Sequence, residues 1–292
     1  MRSETLRDMA GWVPGLEAVR GPRVAVTGLR SDSRRVKPGD LFACLSGTHD
    51  EGARYAGQAA ARGAVAILSR DDPGTAGAWL RAPDPRKAMT QLAVRFHGDP
   101  SREMTLLAVT GTNGKTTTAH LAAGVMSAWG RPSGVVGTVG AHFRDYHADL
   151  DNTTPAAWEV QEILAAMKDQ GAEGAVMEVS SHALAQDRCE GLTFAGGVFT
   201  NLTRDHLDYH KTFQDYREAK AKLFRDHLGE GDWAAVNADD PEATRGVEGS
   251  HARILWYGAS AMAQIRAQEA EVGPNGIRFV QGGDMFESPL RG

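Results

Sequence analysis

The chain has 292 residues, 41% hydrophobic and 24% charged, enough to bury one large core or, more naturally, two. A formal net charge of −5 gives no general attraction to nucleic acid or to an anionic membrane, so anionic ligands have to be held by locally built groups. Cys44 and Cys189 stand far apart without a paired spacing, which argues against a disulfide framework or a zinc site. With no basic-then-apolar leader and no apolar run of membrane-spanning length, a cytoplasmic protein is expected.

In chain order, short apolar runs alternate with alanine-rich amphipathic stretches, the pattern of α/β architecture. Val24 to Thr27, Leu41 to Leu45 and Ala64 to Leu68 read as strands, and Ala53 to Arg62 and Pro85 to His97 as helices, of a small first domain, residues 1–101. His97-Gly98-Asp99-Pro100-Ser101 has turn chemistry and no apolar period, and reads as a linker. In the second domain, residues 102–292, the predicted strands are Leu106 to Thr110, Val135 to Val139, Ala175 to Val179, Gly197 to Thr200, Ala234 to Asn237 and Ile254 to Tyr257. Helices, Phe213 to Phe224 among them, fall between most of these strands. Continuous apolar strands joined by helical crossovers predict a doubly wound, mostly parallel sheet with ligands at the strands' carboxyl ends. From Gly273 onward, paired β segments are expected around Pro274-Asn275-Gly276.

The most informative stretch is Leu106 to Thr117, L-L-A-V-T-G-T-N-G-K-T-T, where an apolar strand runs into a glycine-bearing turn ending in lysine and threonine. Gly111 and Gly114 let backbone N–H groups turn inward around an anion, and the following helix offers its positive end. Lys115 neutralises phosphate charge, and Thr116 supplies a hydroxyl for Mg²⁺. ATP or GTP is the implied ligand. The stretch departs from the common phosphate-loop pattern in having Val109 where a glycine is usual.

If the second domain is a doubly wound sheet, polar groups just after its strands face the ligand crevice. Glu178 lies within a predicted strand that runs into Ser180-Ser181-His182, and burying its carboxylate is costly unless it meets a metal or a donor. The next strand leads into Thr200-Asn201-Leu202-Thr203-Arg204-Asp205-His206-Leu207-Asp208-Tyr209-His210. Two aspartates and two histidines so close together suggest metal and phosphate chemistry, His206 foremost. Taken singly, Asp205, Asp208 and His210 read as surface turn residues, and Lys220 and Lys222 as solvated charges on a helix face.

Read together, G-T-N-G-K-T-T, N-T-T-P at Asn152 to Pro155, M-E-V-S-S-H-A-L at Met177 to Leu184, T-N-L-T-R-D-H-L-D-Y-H at Thr200 to His210, Y-R-E-A-K at Tyr216 to Lys220 and N-A-D-D at Asn237 to Asp240 resemble the Mur ligase family, in its UDP-N-acetylmuramoyl-tripeptide synthetase branch. The resemblance extends into the first domain through D-S-R at Asp32 to Arg34 and P-G-D-L-F at Pro38 to Phe42, and so covers nearly the whole chain.

The resemblance implies a small N-terminal α/β UDP-binding domain followed by a phosphate-loop ATPase domain. It implies an ATP-dependent amide-bond ligase of peptidoglycan synthesis, and hence a part in cell-wall biogenesis, cell shape and division. Such a ligase adds the third amino acid to UDP-N-acetylmuramoyl-L-alanyl-D-glutamate through an acyl phosphate. By motif position, Gly111, Thr112, Asn113, Gly114, Lys115, Thr116 and Thr117 would cradle the ATP phosphates, with Asn237 and Asp240 near the adenine and ribose. Thr116, Glu178 and His206 would hold Mg²⁺. Lys220 matches a lysine that is carbamylated in the family and so joins the metal set as an anion, and Lys115, Glu178, His206 and Lys220 are the catalytic expectations. Ser33 and Thr48, His49 and Asp50 would take the uridine-diphosphate end of the precursor. Asn152, Thr153, Thr154, Ser180, Gln186 and Arg188 would take its sugar and peptide end.

Two departures from the family stand out. Glu51 replaces a usual aspartate, and the chain stops within the second domain, before the C-terminal domain that selects the amino acid; a truncated chain is expected. The added residue, lysine, meso-diaminopimelate or ornithine, is therefore not legible here, and a monomer is expected. The alternatives are a non-catalytic module binding ATP and the UDP precursor, or a related ligase such as cyanophycin or folylpolyglutamate synthetase. The uridine-diphosphate motifs of the first domain count against the folylpolyglutamate reading.

Overall fold

The computed structural model describes residues 3–45, 52–205, 208–274 and 276–290. The chain forms two compact units: Met1–Pro100 together with Ala157–Ala165, and Ser101–Ala156 together with Ala166–Gly292.

The first unit runs β1 (Glu4–Thr5), α1 (Leu6–Trp12), β2 (Glu17–Arg20), β3 (Ala25–Val26), β4 (Gly28–Arg30), β5 (Asp40–Ala43), α2 (Ala56–Ala61), β6 (Ala66–Ser69), β7 (Ala78–Arg81) and α3 (Pro85–His97). Its sheet has the order β2-β7-β6-β5-β4, parallel from β4 to β7 with β2 antiparallel at one edge. Side chains alternate along each strand, so Phe42 and Ile67, paired in register, share one face and bury against Ala56 and Ala59 of α2. α3 has the predicted ends: Asp84 caps it by accepting from Lys87 N, Pro85 opens it, and Gly98 at φ 78° closes it. Four of its described strands were not predicted, the short Glu4–Thr5 and Gly28–Arg30 and the longer Glu17–Arg20 and Ala78–Arg81. Glu17–Arg20 carries no apolar pattern, and Ala78–Arg81 is a four-residue run that periodicity alone does not separate from a loop. The predicted strand Val24 to Thr27 is reduced to Ala25–Val26, and Thr27 N bonds Gly39 O before β4 begins at Gly28.

The segment Ala157–Ala165 joins this unit through specific polar contacts. Arg30 grips Glu162 bidentately at 2.6 and 3.0 Å, and Trp158 Nε1 donates to Ser31 Oγ at 3.1 Å. Its distance along the chain from the rest of the unit is why a division read linearly at residue 101 passes over it.

The rest of the chain runs α4 (Pro100–Glu103), β8 (Thr105–Thr110), α5 (Lys115–Ala128), β9 (Ser133–Gly137), β10 (Gly140–Phe143), β11 (Tyr146–Ala148), α6 (Ala157–Asp169), β12 (Gly174–Glu178), α7 (Ser181–Ala185), β13 (Gly196–Phe199), α8 (Phe213–Asp226), β14 (Trp233–Asn237), α9 (Pro241–Gly246), β15 (Arg253–Gly258) and β16 (Ile265–Arg266). A small antiparallel sheet follows, of β17 (Gln268–Gly273), β18 (Gly276–Gln281) and β19 (Asp284–Ser288). The main sheet has the order β11-β10-β9-β12-β8-β13-β14-β15-β16. It is parallel except for the β9–β10–β11 meander at one edge.

The sheet is wound on both faces, and strand parity shows it. Leu107, Val109, Val135, Val176 and Val198 point to one face and pack on Ala119, Ala122, Ala123 and Met126 of α5. On the other face Gly197 leaves space for Leu223 and Phe224 of α8, and Phe224 stacks on Phe199 with ring centroids 5.4 Å apart. The mostly parallel, doubly wound expectation therefore holds, and β8, first in the chain, lies centrally with β12 and β13 on either side. The strand predicted as Val135 to Val139 has the expected length but lies two residues earlier, at Ser133–Gly137. It stops at Gly137 because Thr138 N turns to a carboxylate, and Val139 is largely exposed.

Cys44 and Cys189 are both buried free thiols, and burial pushes their pKa up, to about 11 and about 12 respectively. No helix among the described residues is long and apolar enough to cross a membrane.

Phe224 is fully buried at the α8–sheet contact, so Phe224→Ala is expected to destabilise this unit by ~3–5 kcal/mol. Urea unfolding followed by far-UV circular dichroism measures the loss.

Candidate functional site

The site begins where β8 delivers the chain into the turn at Gly111. Gly111 has φ 145°, and a Cβ there would stand 1.9 Å from Thr200 Oγ1, so only glycine fits. Gly114, at φ 83°, opens α5. The first N–H groups of α5 have no acceptor within the helix and point, with the positive end of its dipole, into the turn. Thr200 and Asn201, following β13, brace the turn. Thr200 Oγ1 donates to Asn113 O at 2.6 Å, Asn113 N donates to Asn201 Oδ1 at 2.9 Å, and Thr112 N donates to Asn201 O at 2.9 Å. Lys115 Nζ folds across the loop and donates to Gly111 O and Thr112 O, both at 3.0 Å. Burial lowers its pKa, and the nearby carboxylates of Glu178 and Asp205 oppose that shift. Thr117 lies on the exposed side of the same first turn.

Glu178 is fully buried at the end of β12, on the same face as Val176 and therefore under the first turn of α5. Its carboxylate accepts from Thr116 Oγ1 at 2.9 Å, Thr138 N at 2.9 Å and Thr138 Oγ1 at 3.2 Å. Thr138 Oγ1 also meets Thr153 Oγ1 at 3.1 Å. Room for the carboxylate comes from Gly137, where a Cβ would fall 2.1 Å from Glu178 Oε1. A carboxylate with a threonine hydroxyl at the edge of a phosphate turn is a hard oxygen set. It suits Mg²⁺, which takes one or two carboxylates and completes its shell with phosphate oxygens and water. Among the described residues no three His, Cys, Asp or Glu side chains converge as a closed cage. His206, expected to be a third ligand, lies outside the described residues.

Lys220 overturns its reading as a solvated charge. Tyr216, Ala219, Lys220, Leu223 and Phe224 recur at helical spacing on the buried stripe of α8, and Lys220 is 1% exposed. Lys222 lies off that stripe and pairs with Asp187 at 3.7 Å. Lys220 Nζ donates to Gly111 O at 2.8 Å and lies 4.8 Å above the Tyr216 ring, whose hydroxyl meets Thr112 Oγ1 at 3.1 Å. Burial holds its pKa well below the ordinary lysine value, the Lys115 charge lowers it further, and only Asp205 opposes.

The remaining expected residues fall in two places. Thr154 Oγ1 donates to Glu178 O at 2.9 Å and accepts from Ser180 N at 3.0 Å, while Thr154 O accepts from Arg188 Nη1 at 2.9 Å. Arg188 also donates to Gln186 Oε1 at 2.7 Å, and Ser180 caps α7. Thr154, Ser180, Gln186 and Arg188 thus form one chain of contacts beside Glu178, with Thr153 joined through Thr138 and Asn152 exposed nearby in sequence. Asn237 Nδ2 donates to Thr200 O at 2.9 Å, and Asp240 caps α9 while accepting from Leu202 N at 2.7 Å, so both support the loop after β13. Ser33 belongs to the first unit, buried and donating to Gln58 Oε1 at 2.8 Å. Thr48, His49 and Asp50 lie outside the described residues.

His210, read from sequence as a surface turn residue, is instead buried, 2.9 Å from Ser181 Oγ. Sequence reasoning also passed over Gly137, Thr138, Thr200, Asn201 and Tyr216 as site residues. The rule that the crevice lies at strand carboxyl ends points to Thr138, Thr200 and Asn201, whereas Tyr216 is legible only as the apolar stripe of α8.

Residues 109–292 match the Mur ligase middle domain, and residues 25–97 match the Mur ligase family, catalytic domain. The chain belongs to the Mur ligase family. Among family members, the UDP-N-acetylmuramoyl-L-alanyl-D-glutamate--2,6-diaminopimelate ligase of Geobacter metallireducens is 39% identical over 279 residues, covering 93% of this chain and 55% of the relative. The ligase of the same name from Gloeobacter violaceus is 41% identical over 285 residues, covering 95% of this chain and 58% of the relative. A solved structure of a ligase with that name superposes with TM-score 0.77 at 29% identity, covering 99% of this chain and 60% of the other. The chain thus spans a little over half the length of the curated relatives it matches.

Gly137→Ala is expected to displace the Glu178 carboxylate and destabilise the unit by ~1–3 kcal/mol, measured by urea unfolding. A second expectation concerns pH. Lys220 has a folded pKa below its unfolded value of 10.5, so the folded state binds fewer protons and wild-type stability rises with pH across the window between the two values. Relative to Lys220→Met, the wild type is therefore expected to gain stability as pH is raised from neutral toward 10.5 in CO₂-free buffer. Urea unfolding at a series of pH values checks the sign.

Proposed function

We propose that this chain carries the ATP site and the UDP-muramoyl-dipeptide site of an ATP-dependent acid–amino-acid ligase. The reaction adds the third residue to UDP-N-acetylmuramoyl-L-alanyl-D-glutamate in cytoplasmic peptidoglycan synthesis. The observation that carries the reading is the buried Glu178 carboxylate hydrogen-bonded to Thr116 in the first turn after the phosphate loop. The names of the relatives favour this reading over a folate or cyanophycin ligase, and the amino acid in those names is 2,6-diaminopimelate.

A carboxylate is a poor acyl donor, so ligases of this kind move the γ-phosphoryl group of ATP onto it, and the amine of the incoming amino acid then displaces phosphate from the acyl phosphate. The chain's own task is to hold two polyanions in line. The N–H groups from Gly111 to Thr117 surround the ATP phosphates. Lys115 exchanges its two carbonyl contacts for phosphate oxygens, a change favoured by its partly desolvated ammonium. Thr116 and Glu178 would hold Mg²⁺, which when bound screens the negative charge gathered at the transferring phosphoryl group. Arg188, with Asn152, Thr153, Thr154, Ser180 and Gln186, takes the peptide and sugar end of the precursor, and Ser33 takes the uridine-diphosphate end. Asn237 and Asp240 serve the adenine and ribose side by fixing the loop after β13.

Lys220 is suited to carbamylation. A buried amine with lowered proton affinity offers its lone pair to CO₂; an N–C bond forms, a proton leaves to solvent, and the product is an anion beside the Lys115 cation.

Calorimetry of the chain with ATP·Mg²⁺ and with UDP-N-acetylmuramoyl-L-alanyl-D-glutamate is expected to show saturable binding of each. Lys115→Ala is expected to weaken ATP by roughly 10- to 100-fold, the loss of a charge-assisted contact, and to spare the precursor. A folded chain that binds neither ligand overturns the proposal. In ¹³C-bicarbonate buffer a carbamate carbonyl resonance is expected from the wild type and not from Lys220→Gln.

A further inference from the structure

At the edge of the main sheet, away from the phosphate loop, two imidazoles are paired by the backbone. β10 and β11 form a tight hairpin turned at Arg144, whose φ is 49°, and the register places His142 directly opposite His147. Opposite residues in an antiparallel pair project to the same side. Their Nδ1 atoms stand 3.1 Å apart. His142 Nε2 lies 2.5 Å from Val139 O, and a carbonyl only accepts, so the His142 proton sits on Nε2 and its Nδ1 presents a lone pair. In the hydrogen bond between the two Nδ1 atoms, His147 is then the donor.

We propose that His142 and His147 form a two-histidine chelating site for a borderline-soft divalent cation of the Zn²⁺, Ni²⁺ or Cu²⁺ class, ligated through both Nδ1 atoms. The spacing fits. With metal–nitrogen bonds of ~2.0–2.1 Å, two ligands ~3.1 Å apart subtend about 98° at the ion, between square-planar and tetrahedral angles. The outer contact fits as well, because metal-bound histidines usually donate their other ring N–H to a carbonyl or carboxylate, as His142 does to Val139.

His120 of α5 lies 6.4 Å from His142 between ring centroids. Among the described residues no third His, Cys, Asp or Glu completes a cage, so water or a carboxylate from elsewhere fills the shell. Ligand chemistry separates this site from the oxygen set at Glu178, since imidazole selects against Mg²⁺. The ion would clasp β10 to the edge strand β11 and, through Val139, to the segment that begins at Thr138. The inference does not depend on the ligase reading.

Calorimetric titration of the whole chain with NiCl₂ in excess Mg²⁺ tests it, with circular dichroism confirming that each variant is folded. A single saturable site is expected in the wild type, weakened at least tenfold in His142→Asn and in His147→Asn and unchanged in His251→Asn, an exposed histidine elsewhere in the unit. Ni²⁺ is expected to raise the melting temperature of the wild type but not of His147→Asn. Long-range ¹H–¹⁵N NMR with Zn²⁺ should report ligation at Nδ1 of both rings. Absence of saturable binding in the wild type, wild-type affinity in either hairpin variant, or ligation through Nε2 overturns the proposal.

Discussion

One buried and one half-buried ammonium group converge on one carbonyl oxygen, and the site's anionic groups are set around that crowding. Lys115 and Lys220 both donate to Gly111 O, at 3.0 and 2.8 Å, and each has its proton affinity lowered by burial. Such a pair is unfavourable in isolation and becomes favourable when anions arrive. Phosphate at Lys115 and a carbamate on Lys220 would each turn a repulsion into an attraction. Glu178, the wholly buried carboxylate a few residues away in space, already supplies part of the opposing charge.

The architecture places these groups by strand parity and by missing side chains. Val176 and Glu178 share a face, so the carboxylate comes out beneath the same helix whose first turn carries Thr116. Gly137 and Gly111 leave the volume that Glu178 Oε1 and Thr200 Oγ1 occupy, with built Cβ positions at 2.1 and 1.9 Å from those atoms. These glycines are steric allowances for the polar groups of neighbouring strands. In the edge hairpin, antiparallel register sets His142 opposite His147, and Gly140 at φ 100° leaves the space beside the His142 ring.

Much of the fold was legible because the main sheet is buried on both faces. Each of its central strands reads as an apolar run, and the predicted strands fall within a residue or two of those observed. The misses have physical causes. Glu17–Arg20 is an edge strand with alternating exposure and no apolar run, and the strand predicted as Val135 to Val139 lies at Ser133–Gly137, ending where Thr138 N bonds Glu178 and not a neighbouring strand. Ala157–Ala165 joins the first unit through Glu162 and Trp158, contacts that no local pattern announces.

By itself the sequence determined what depends on neighbours along the chain: the phosphate loop, with its glycines, lysine and threonine contiguous at a strand-to-helix turn, and the doubly wound class. The buried stripe of α8 was also written in periodicity and places Lys220 inside, although a lysine reads by habit as solvated. Only the tertiary structure decided which remote groups meet: Thr138 on Glu178, Asn201 under the loop, His210 on Ser181 and Lys220 on Gly111. Local rules act over a few residues, whereas these contacts join residues 29 to 109 positions apart, and only packing of the sheet and its helices sets such distances.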